Sequence, residues 1–592
     1  MILLLIILSS LATCLAGDDF KSRWHQLLHR DIQQKELFWL AGRKATDEKE
    51  LEATLQHFRS KKKWDTNDHV QCLFPARRML IEKYLGSDKF PRSKCPDYDE
   101  WIARLNPQSV SLVFAGNYPD NPGSLFGHTF LKFKGPDSRG QNLLDYALNY
   151  SAEVSDDIGV LYAIKGLVGG YFGGFTLDPY YLKVNEYNEG EGRDIWEYDL
   201  ELTSEEATYI LAHVWELKQL AEFKYYFISD NCSFFIFRLL DIARPGWRLE
   251  RKLPWYVIPL ETVKILHQEQ GMVRKTSYRP SVRLRAQNAY NMLSLREQNE
   301  SQKILDGKIS SQKVNDSKVL KVAGMQLASI HSRKDGLLPK DLAVREEEIL
   351  LRLSELPEST IMKQKDLPSP HDGHDIAQAS LGTISDDQTD LLLGFRPGVH
   401  DLNDYATGYL PFSELSIIDT QVRVNNDKLR FHKVDFLTIS LFRPWSYQEK
   451  AWSWSARIAY ENTATIFSDH EKDVVLEGAL GAASLSFKSI LFSSLMGGYY
   501  RGGDFEKSQS LGLMGQFLAI ASPENWKSIN GLKIYQDMNH TQAENVQLNP
   551  FSNFAYHANS NTDLQLEMNW PLRVKGFYRN RFQLALKLER HF

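Results

Sequence analysis

The 592-residue sequence is poor in cysteine, in net charge and in long apolar segments, and each shortage excludes a class of protein. Four cysteines are too few for a disulfide-rich scaffold. The 70 basic and 75 acidic residues give a net charge of −5, so the chain lacks the basic field of a nucleic-acid-binding protein. Beyond the N-terminus, no window offers about 18 uninterrupted apolar residues for a membrane-spanning helix. We therefore predict no nucleic-acid partner and no helical anchor.

The first 16 residues have the pattern of a secretory signal. An apolar run of about a dozen residues ends in Cys14-Leu15-Ala16, a small-x-small sequence suited to cleavage before Gly17. The usual basic residue after Met1 is absent from the pattern. We predict that the protein is exported.

Three cysteines remain once this signal is removed. Cys72 and Cys95 are close enough in sequence to form a disulfide in an oxidising compartment. Cys232 is then unpaired, and an odd thiol in an exported protein is either buried and inert or reactive.

Changes in hydrophobic period divide the mature chain into four regions, so we predict a multidomain protein. Residues 17–106 have helical spacing and form a predicted helical domain. Residues 107–275 mix predicted strands and helices, which indicates an α+β domain. Residues 276–384 are polar and favour helix, as expected of a connector. Residues 385–592 return to strand periodicity and form the fourth region.

The last region carries the two-residue alternation of a transmembrane β-barrel. In Trp452–Tyr460 the even-numbered positions are apolar or small and the odd-numbered ones are mostly polar. Leu564–Trp570 and Phe582–Leu588 repeat this pattern. Alternating segments of roughly ten residues between polar turns are typical of an antiparallel outer-membrane barrel, and about 10 to 12 strands fit. The alternative is a soluble sandwich, or a barrel whose apolar face points inward.

Two histidines near the end of the connector have a spacing that metal ligands sometimes show. His371 and His374 belong to Pro368–His374, which has the composition of a linker. A His-x-x-His pair in a flexible segment is usually without a metal. We predict no metal site and no cofactor.

The strongest chemical signal is Cys232, at the start of a predicted helix. Asp230 and Asn231 are residue types favoured at helix N-caps, and the apolar run after Cys232 has helical spacing. A thiol in this position meets the positive end of the helix dipole and unpaired backbone N–H groups, which favour the thiolate. The alternative is that Cys232 fills core space as a small apolar side chain.

Thiol catalysis also needs an imidazole base and a third polar group that orients the imidazole. His128 begins a predicted strand after a loop rich in glycine and proline. It is the predicted base.

The orienting residue follows from a predicted hairpin. Pairing residue 134 with 142 places His128 opposite residue 148 or 149. Asn149 is therefore the predicted orienting residue, and Asp145, two pairs away on the same face, is the second choice.

Two motifs in this order resemble the family of the Lnb N-terminal periplasmic domain. They are Gly-His-Thr-Phe at Gly127–Phe130 and Asp-Asn-Cys-Ser at Asp230–Ser233, and the resemblance covers roughly residues 107–275. It implies a circularly permuted papain-like fold, related to NlpC-type peptidases and lecithin:retinol acyltransferase-like enzymes. It also implies a periplasm-facing acyltransferase or acyl hydrolase acting on lipids or lipoproteins. Cys232 would hold the acyl thioester, and His128 would act as base and then as acid.

The resemblance also identifies candidate substrate contacts. The backbone N–H of Cys232 is the expected oxyanion donor, with Asn117 or Tyr118 from the loop before His128. Ser124 of the same loop and Asn231 are the other predicted contacts with substrate or oxyanion.

Several alternatives remain open from the sequence. A cell-wall amidase or peptidase would use the same cysteine and histidine, and a non-catalytic outer-membrane protein would use neither. The glycine-rich segment Gly166–Phe175 fits either a lid over an acyl chain or a tight packing loop where only glycine is accommodated. The oligomeric state is not predicted.

Overall fold

The computed structural model describes most of the chain. The described residues are 18–30, 38–87, 90–116, 118, 127–136, 142–154, 165–166, 168–254, 256–332, 339–357, 367–386, 388–425, 428–445, 451–461, 473–486, 490–502, 509–538, 546–573 and 582–592. The predicted signal segment, Asn117 and Ser124 lie outside them. The chain divides into two compact units, Met1–Asp366 and Leu367–Phe592.

The first unit combines helices with one antiparallel sheet. Its helices are α1 Asp18–Leu28, α2 Asp47–Phe58, α3 Val70–Leu73, α4 Pro75–Leu85, α5 Pro96–Leu105, α6 Tyr180–Lys183, α7 Ser204–Leu220, α8 Cys232–Ala243, α9 Pro259–Gln268, α10 Val282–Asn291, α11 Leu295–Leu305, α12 Ser317–Ser332 and α13 Lys340–Glu355. Its strands are β1 Ser109–Ala115, β2 His128–Lys134, β3 Tyr146–Glu153, β4 Tyr171–Pro179, β5 Ile195–Leu200, β6 Phe223–Tyr225 and β7 Val273–Arg279.

The seven strands have the order β6-β4-β3-β2-β1-β5-β7, and every neighbouring pair is antiparallel. Strand β1 is buried from Val110 to Ala115, as expected of a central strand covered on both faces. Helix α8 packs against β2 and β3. The predicted helical N-terminus and α+β region are confirmed.

The N-terminal helices are joined to the α+β region by a buried polar network. The Arg77 guanidinium in α4 donates to Glu50 of α2 at 2.8 Å, and its backbone N–H donates to Glu216 of α7 at 2.9 Å. Glu216 lies 3.0 Å from His213 Nδ1, and His213 Nε2 lies 2.8 Å from His29 Nε2. Buried charges of this kind are stabilised only when they are paired, so the network fixes these helices against one another.

The disulfide predicted in this region is present. Cys72 of α3 is bonded to Cys95, which precedes α5, and the Trp215 indole N–H donates to the Cys72 carbonyl. Cys232 is a free, buried thiol.

The second unit is a closed antiparallel barrel of 12 strands. They are β8 Gln378–Ser385, β9 Thr389–Arg396, β11 Ser413–Asn425, β12 Lys428–Leu441, β13 Ser453–Glu461, β14 Asp473–Ser486, β15 Ile490–Gly502, β16 Gln509–Ala521, β17 Trp526–Asp537, β18 Val546–Asn559, β19 Thr562–Asn569 and β21 Gln583–His591. Short strands β10 (Gly398–His400) and β20 (Leu572–Arg573) pair with β11 and β18. Pairing of β8 with β21 and of β9 with β11 completes the ring. The prediction placed the first barrel residue at 385, whereas β8 already begins at 378.

Many large apolar side chains of the barrel point outward, although one cluster that includes Leu491, Leu495 and Leu518 is buried. On β21, Leu586 and Leu588 are 47% and 52% exposed, whereas Lys587 and Glu589, which alternate with them, are buried. Trp452, near the start of β13, is likewise exposed. The inner face surrounds a cavity of about 1030 Å³ lined mainly by charged and polar side chains. The alternative of a soluble barrel, with its apolar face inside and its polar face in water, is therefore wrong.

Candidate active site

Cys232 is the first residue of α8, and Asn231 caps this helix. The Asn231 side-chain oxygen accepts hydrogen bonds from the backbone N–H groups of Ser233 and Phe234. Its amide nitrogen donates to the carbonyls of Phe227 and Val257. Asn231 was predicted to contact substrate, but its side chain is committed to fixing the start of the helix. Asn231 therefore affects Cys232 by fixing the helix end at which the thiol lies.

His128 is the first residue of β2, and the glycine before it is required by the backbone. Gly127 has a φ of +81°, where only glycine is unstrained, and a Cβ at this position would lie 2.6 Å from the Phe114 ring. The Gly-His dipeptide of the sequence motif therefore has a physical origin. It lets the chain turn tightly against β1 and deliver the imidazole at the strand end.

Asn149 is hydrogen bonded to His128, although the predicted register is wrong. His128 Nε2 lies 2.5 Å from the Asn149 side-chain oxygen. Strands β2 and β3 pair Leu131 with Leu148, so Asn149 is diagonal to His128 and not opposite it. The predicted start of the second strand is instead a 3₁₀ turn at residues 142–144, which shifts the pairing by three residues. The two side chains still share one face of the sheet.

Asp145, the second choice for this role, has a different partner. Its carboxylate lies 3.8 Å from Lys132 Nζ, and both side chains are buried. Lys132 also forms an ion pair with Glu197. Burial raises the pKa of Asp145 and outweighs the attraction of Lys132. Asn149, and not Asp145, is therefore the residue that is hydrogen bonded to His128.

The thiol and the imidazole form a polarised pair. Burial alone would raise the pKa of Cys232, but the charge of His128 and its hydrogen bond to the thiol lower this pKa to about 6. Burial of His128 likewise opposes its protonation, and the charge and hydrogen bond of Cys232 together with Asn149 raise the histidine pKa above its ordinary value. Both directions favour a thiolate beside an imidazolium. Because Nε2 is bonded to Asn149, Nδ1 is the nitrogen available to exchange a proton with sulfur.

Three further polar groups around Cys232 were missed from the sequence. The Cys232 backbone N–H, predicted as the oxyanion donor, donates to the Tyr225 hydroxyl at 3.3 Å. Thr129 Oγ1 lies 3.9 Å from the sulfur and 2.7 Å from Ser233 Oγ. The motifs themselves contain Thr129 and Ser233, which could have marked them. Tyr225 lies on the short strand β6, which no sequence pattern marked.

Tyr118, the described member of the predicted loop contacts, belongs to an aromatic and charged group beside His128. The Arg193 guanidinium stacks on the rings of Tyr118 and Tyr187 at 5.0 and 5.1 Å. Glu191 lies 2.6 Å from Arg193 Nε, and Tyr187 packs against His128 with ring centroids 5.7 Å apart. This group forms one wall next to the imidazole.

The glycine-rich segment is largely part of the sheet. Its second half is the beginning of β4, paired with β3. A Cβ at Gly173 would lie 2.1 Å from the Tyr150 hydroxyl, so the glycine permits close packing. The packing alternative therefore holds for Tyr171–Phe175, and the lid alternative does not.

The domain that carries this site matches a known family. The model of the Lnb N-terminal periplasmic domain covers residues 97–269, which include His128, Asn149 and Cys232. The chain contains an Lnb N-terminal periplasmic domain. Residues 19–84 and 367–588 match DUF7843 and DUF7840, two domains of unknown function. No curated protein matches the chain.

Three solved structures similar to part of this chain are a channel and two porins. The COG4313 outer membrane channel from Pseudomonas putida F1 is 14% identical, with a TM-score of 0.24, and the match covers 40% of this chain and 100% of that one. KdgM porin in complex with disordered oligogalacturonate is 8% identical, with a TM-score of 0.23 and coverages of 36% and 99%. NanC porin is 11% identical, with a TM-score of 0.24 and coverages of 36% and 98%.

The protein is an outer-membrane protein with a periplasmic Lnb domain. The location follows from the family of residues 97–269 and from the barrel, whose outer face is apolar and whose lumen is polar. Among the described residues, no helix is long and apolar enough to cross a membrane. The described groups that can surround a metal ion lie in the barrel and not around Cys232.

Proposed function

We propose that the Lnb domain is a cysteine acyltransferase or acyl hydrolase that forms an acyl thioester at Cys232. The observation that carries the proposal is the placement of His128 between Asn149 and the thiol, with the pKa of Cys232 lowered to about 6. This is the arrangement that a thiol nucleophile requires: a base within reach and a third group that fixes the base. The proposed substrates are the acyl chains of lipids or lipoproteins.

In the first step the Cys232 thiolate attacks the ester carbonyl carbon. A C–S bond forms, the C–O bond to the alcohol breaks, and the His128 imidazolium gives its proton to the departing alkoxide. The Tyr225 hydroxyl accepts from the Cys232 backbone N–H at 3.3 Å, and an oxyanion that replaced this contact would receive hydrogen bonds from both groups.

In the second step an amine or water attacks the thioester. His128 removes a proton from this nucleophile, the C–S bond breaks, and the thiolate–imidazolium pair is restored. An amine acceptor gives an N-acylated product, whereas water gives a free fatty acid. The choice between transferase and hydrolase is therefore a choice of second nucleophile at one site.

Turnover with defined substrates tests the proposal. The full-length protein in detergent is incubated with phospholipid and a diacylated lipopeptide, and both fatty acid release and N-acylation are quantified. Cys232→Ala and His128→Ala should each reduce the rate roughly a thousandfold or more, as loss of a nucleophile or its base does in related mechanisms. His267→Ala, an exposed histidine of the same unit, is the matched control.

Two results would contradict the proposal. Wild-type rates in both site variants would show that the pair is not catalytic. Cleavage of cell-wall peptides that depends on Cys232, with no turnover of acyl esters, would assign the same nucleophile to an amidase or peptidase.

A further inference from the structure

The barrel contains a buried cluster of histidine and carboxylate side chains at one end. This end, called the terminal rim here, is where β8 begins and β21 ends. His374 precedes β8 and His591 ends β21, whereas Asp404 belongs to the segment 401–412 that follows β10. The candidate ligand atoms of these three residues all lie within 4.8 Å of one another, and all three side chains are buried.

Asp404 lies at distances from the two histidines that a shared metal ion would give, while Asp404 Oδ2 also accepts from the Asp401 backbone N–H at 2.6 Å and His591 Nε2 lies 3.1 Å from Asp563 Oδ2. Asp404 Oδ2 lies 3.7 Å from His374 Nε2, and Asp404 Oδ1 lies 3.7 Å from His591 Nε2. These distances exceed hydrogen-bond length. Ligand atoms bound to one zinc ion at about 2.0–2.1 Å lie about 2.9–4.2 Å apart, depending on the angle at the metal. Both separations fall in that range.

A third histidine is close by. His400 Nδ1 lies 2.8 Å from His374 Nε2 and 3.8 Å from Asp404 Oδ2. The shorter distance is a hydrogen-bond length and lies just below the range for two ligands of one ion. His400 is therefore a hydrogen-bond partner of His374 at the edge of the cluster.

The rings of His374 and His591 are oriented as metal ligands usually are. His374 Nδ1 lies 2.7 Å from the Asp375 carbonyl oxygen, and His591 Nδ1 lies 3.1 Å from the same oxygen. A neutral imidazole that donates from Nδ1 carries its lone pair on Nε2, and in both rings Nε2 is the atom nearest Asp404. A backbone carbonyl that fixes the tautomer in this way is the common outer-shell partner of a metal-bound histidine.

The charge of the cluster also favours a cation. The carboxylates of Asp404, Asp563 and Glu589 present oxygens within 4.8 Å of one another, and all three are buried. With neutral imidazoles, the acidic side chains in or against the group outnumber the basic ones by two. They are Asp401, Asp404, Asp563, Glu567 and Glu589 against Arg396, Lys527 and Lys587. A divalent ion would balance this excess, which is costly to bury unpaired.

We propose that His374, His591 and Asp404 bind one divalent transition-metal ion of the zinc class. Imidazole nitrogens with one carboxylate favour zinc-like ions over magnesium or calcium, which prefer oxygen ligands. The ion would join the segment before β8, the segment 401–412 and the C-terminal strand. It would therefore hold the segment 401–412 at the terminal rim, and the proposal is independent of the chemistry at Cys232.

The test uses the full-length chain, without a polyhistidine tag, purified in detergent and stripped with EDTA. Calorimetric titration with Zn²⁺ should show one site per chain. His374→Gln and His591→Gln should weaken Zn²⁺ binding roughly a hundredfold or more, because even outer-shell substitutions cost about 10–100-fold. His371→Gln is the matched control, since His371 lies on the same segment but outside the cluster.

Two results would overturn the proposal. One is a folded wild-type chain that binds no Zn²⁺ at this stoichiometry. Protons on the buried side chains would then balance the charge, and His591 would be paired with Asp563, 3.1 Å away. The other is a His374→Gln variant that binds Zn²⁺ like the wild type. Heat-modifiable gel mobility checks that each barrel is folded. If the variants do not fold, the absorption spectrum of the Co²⁺-loaded wild type decides: a nitrogen-coordinated tetrahedral spectrum supports the site, and a spectrum of hydrated Co²⁺ overturns it.

Discussion

Replacing His128 by alanine should raise the pKa of the Cys232 thiol by three units or more. In the wild type this pKa is lowered from 9.0 to about 6 because the charge of His128 and its hydrogen bond outweigh the effect of burial. Three units correspond to about 4 kcal/mol in favour of the thiolate. Without the imidazole, burial becomes the dominant influence, and it disfavours the charged form. The thiol of His128→Ala should therefore titrate near 9 or above.

The ultraviolet absorbance of the thiolate, recorded against pH, measures this shift. The spectrum of Cys232→Ala is subtracted so that only Cys232 contributes. The midpoint is a better readout than an alkylation rate, because a thiolate of lower pKa is also a weaker nucleophile and the two effects partly cancel. In the wild type the thiolate forms as pH rises through about 6, so about nine-tenths of Cys232 is thiolate at pH 7.

Two comparisons make the titration decisive. His267→Ala should keep the wild-type midpoint, because His267 is exposed, whereas the groups that lower the pKa of Cys232 are His128, Thr129 and Ser233. A midpoint that stays near 6 in His128→Ala would show that the imidazole is not the cause of the lowered thiol pKa.

Three further predictions concern the orienting residue, the barrel and the disulfide. Asn149→Ala should lower kcat roughly tenfold to a hundredfold, because an unpaired buried imidazole N–H costs about 1–3 kcal/mol; an unchanged kcat would count against its role. Leu586→Arg, on the lipid face, should cost about 2–4 kcal/mol and impair heat-modifiable folding. Asn549→Arg, in the cavity wall, should be tolerated, and equal effects would contradict the assigned faces. Reduction of Cys72–Cys95 should lower the unfolding free energy by about 3 kcal/mol, as measured by denaturant titration of the protein with and without reductant.

The barrel could be predicted from the sequence because the direction in which a side chain points depends only on its position along its own strand. Strands such as β21 alternate apolar and polar residues, and the apolar set faces lipid, so the orientation of these strands follows from residue parity. Leu586 and Lys587 illustrate this, since they have adjacent numbers and opposite faces. The start of the barrel is predicted at 385 instead of 378 because β8 contains few large apolar residues. Gln378–Ser385 has one alanine, one glycine and several hydroxyl side chains.

The residues of the site could be predicted from the sequence, but the pairing of the strands that carry them could not. Asn149 was identified through a hairpin whose pairing is wrong by three residues, and the diagonal neighbour shares the same sheet face. Tyr225 was missed because its position beside Cys232 depends on the pairing of β6 with β4. His374 was set aside because its partners His400 and His591 are brought to it only by closure of the barrel.

Intact-mass measurement of the full-length protein after incubation with a phospholipid of defined acyl chains shows whether Cys232 forms an acyl thioester. We expect an adduct with the mass of one acyl chain, located on Cys232 by peptide mapping and absent from Cys232→Ala. It should be present in samples quenched with acid during the first turnover, before an amine or water has removed the acyl chain. An adduct of equal amount in Cys232→Ala, or no adduct in first-turnover samples of a protein that turns over acyl esters, would contradict the acyl-thioester mechanism.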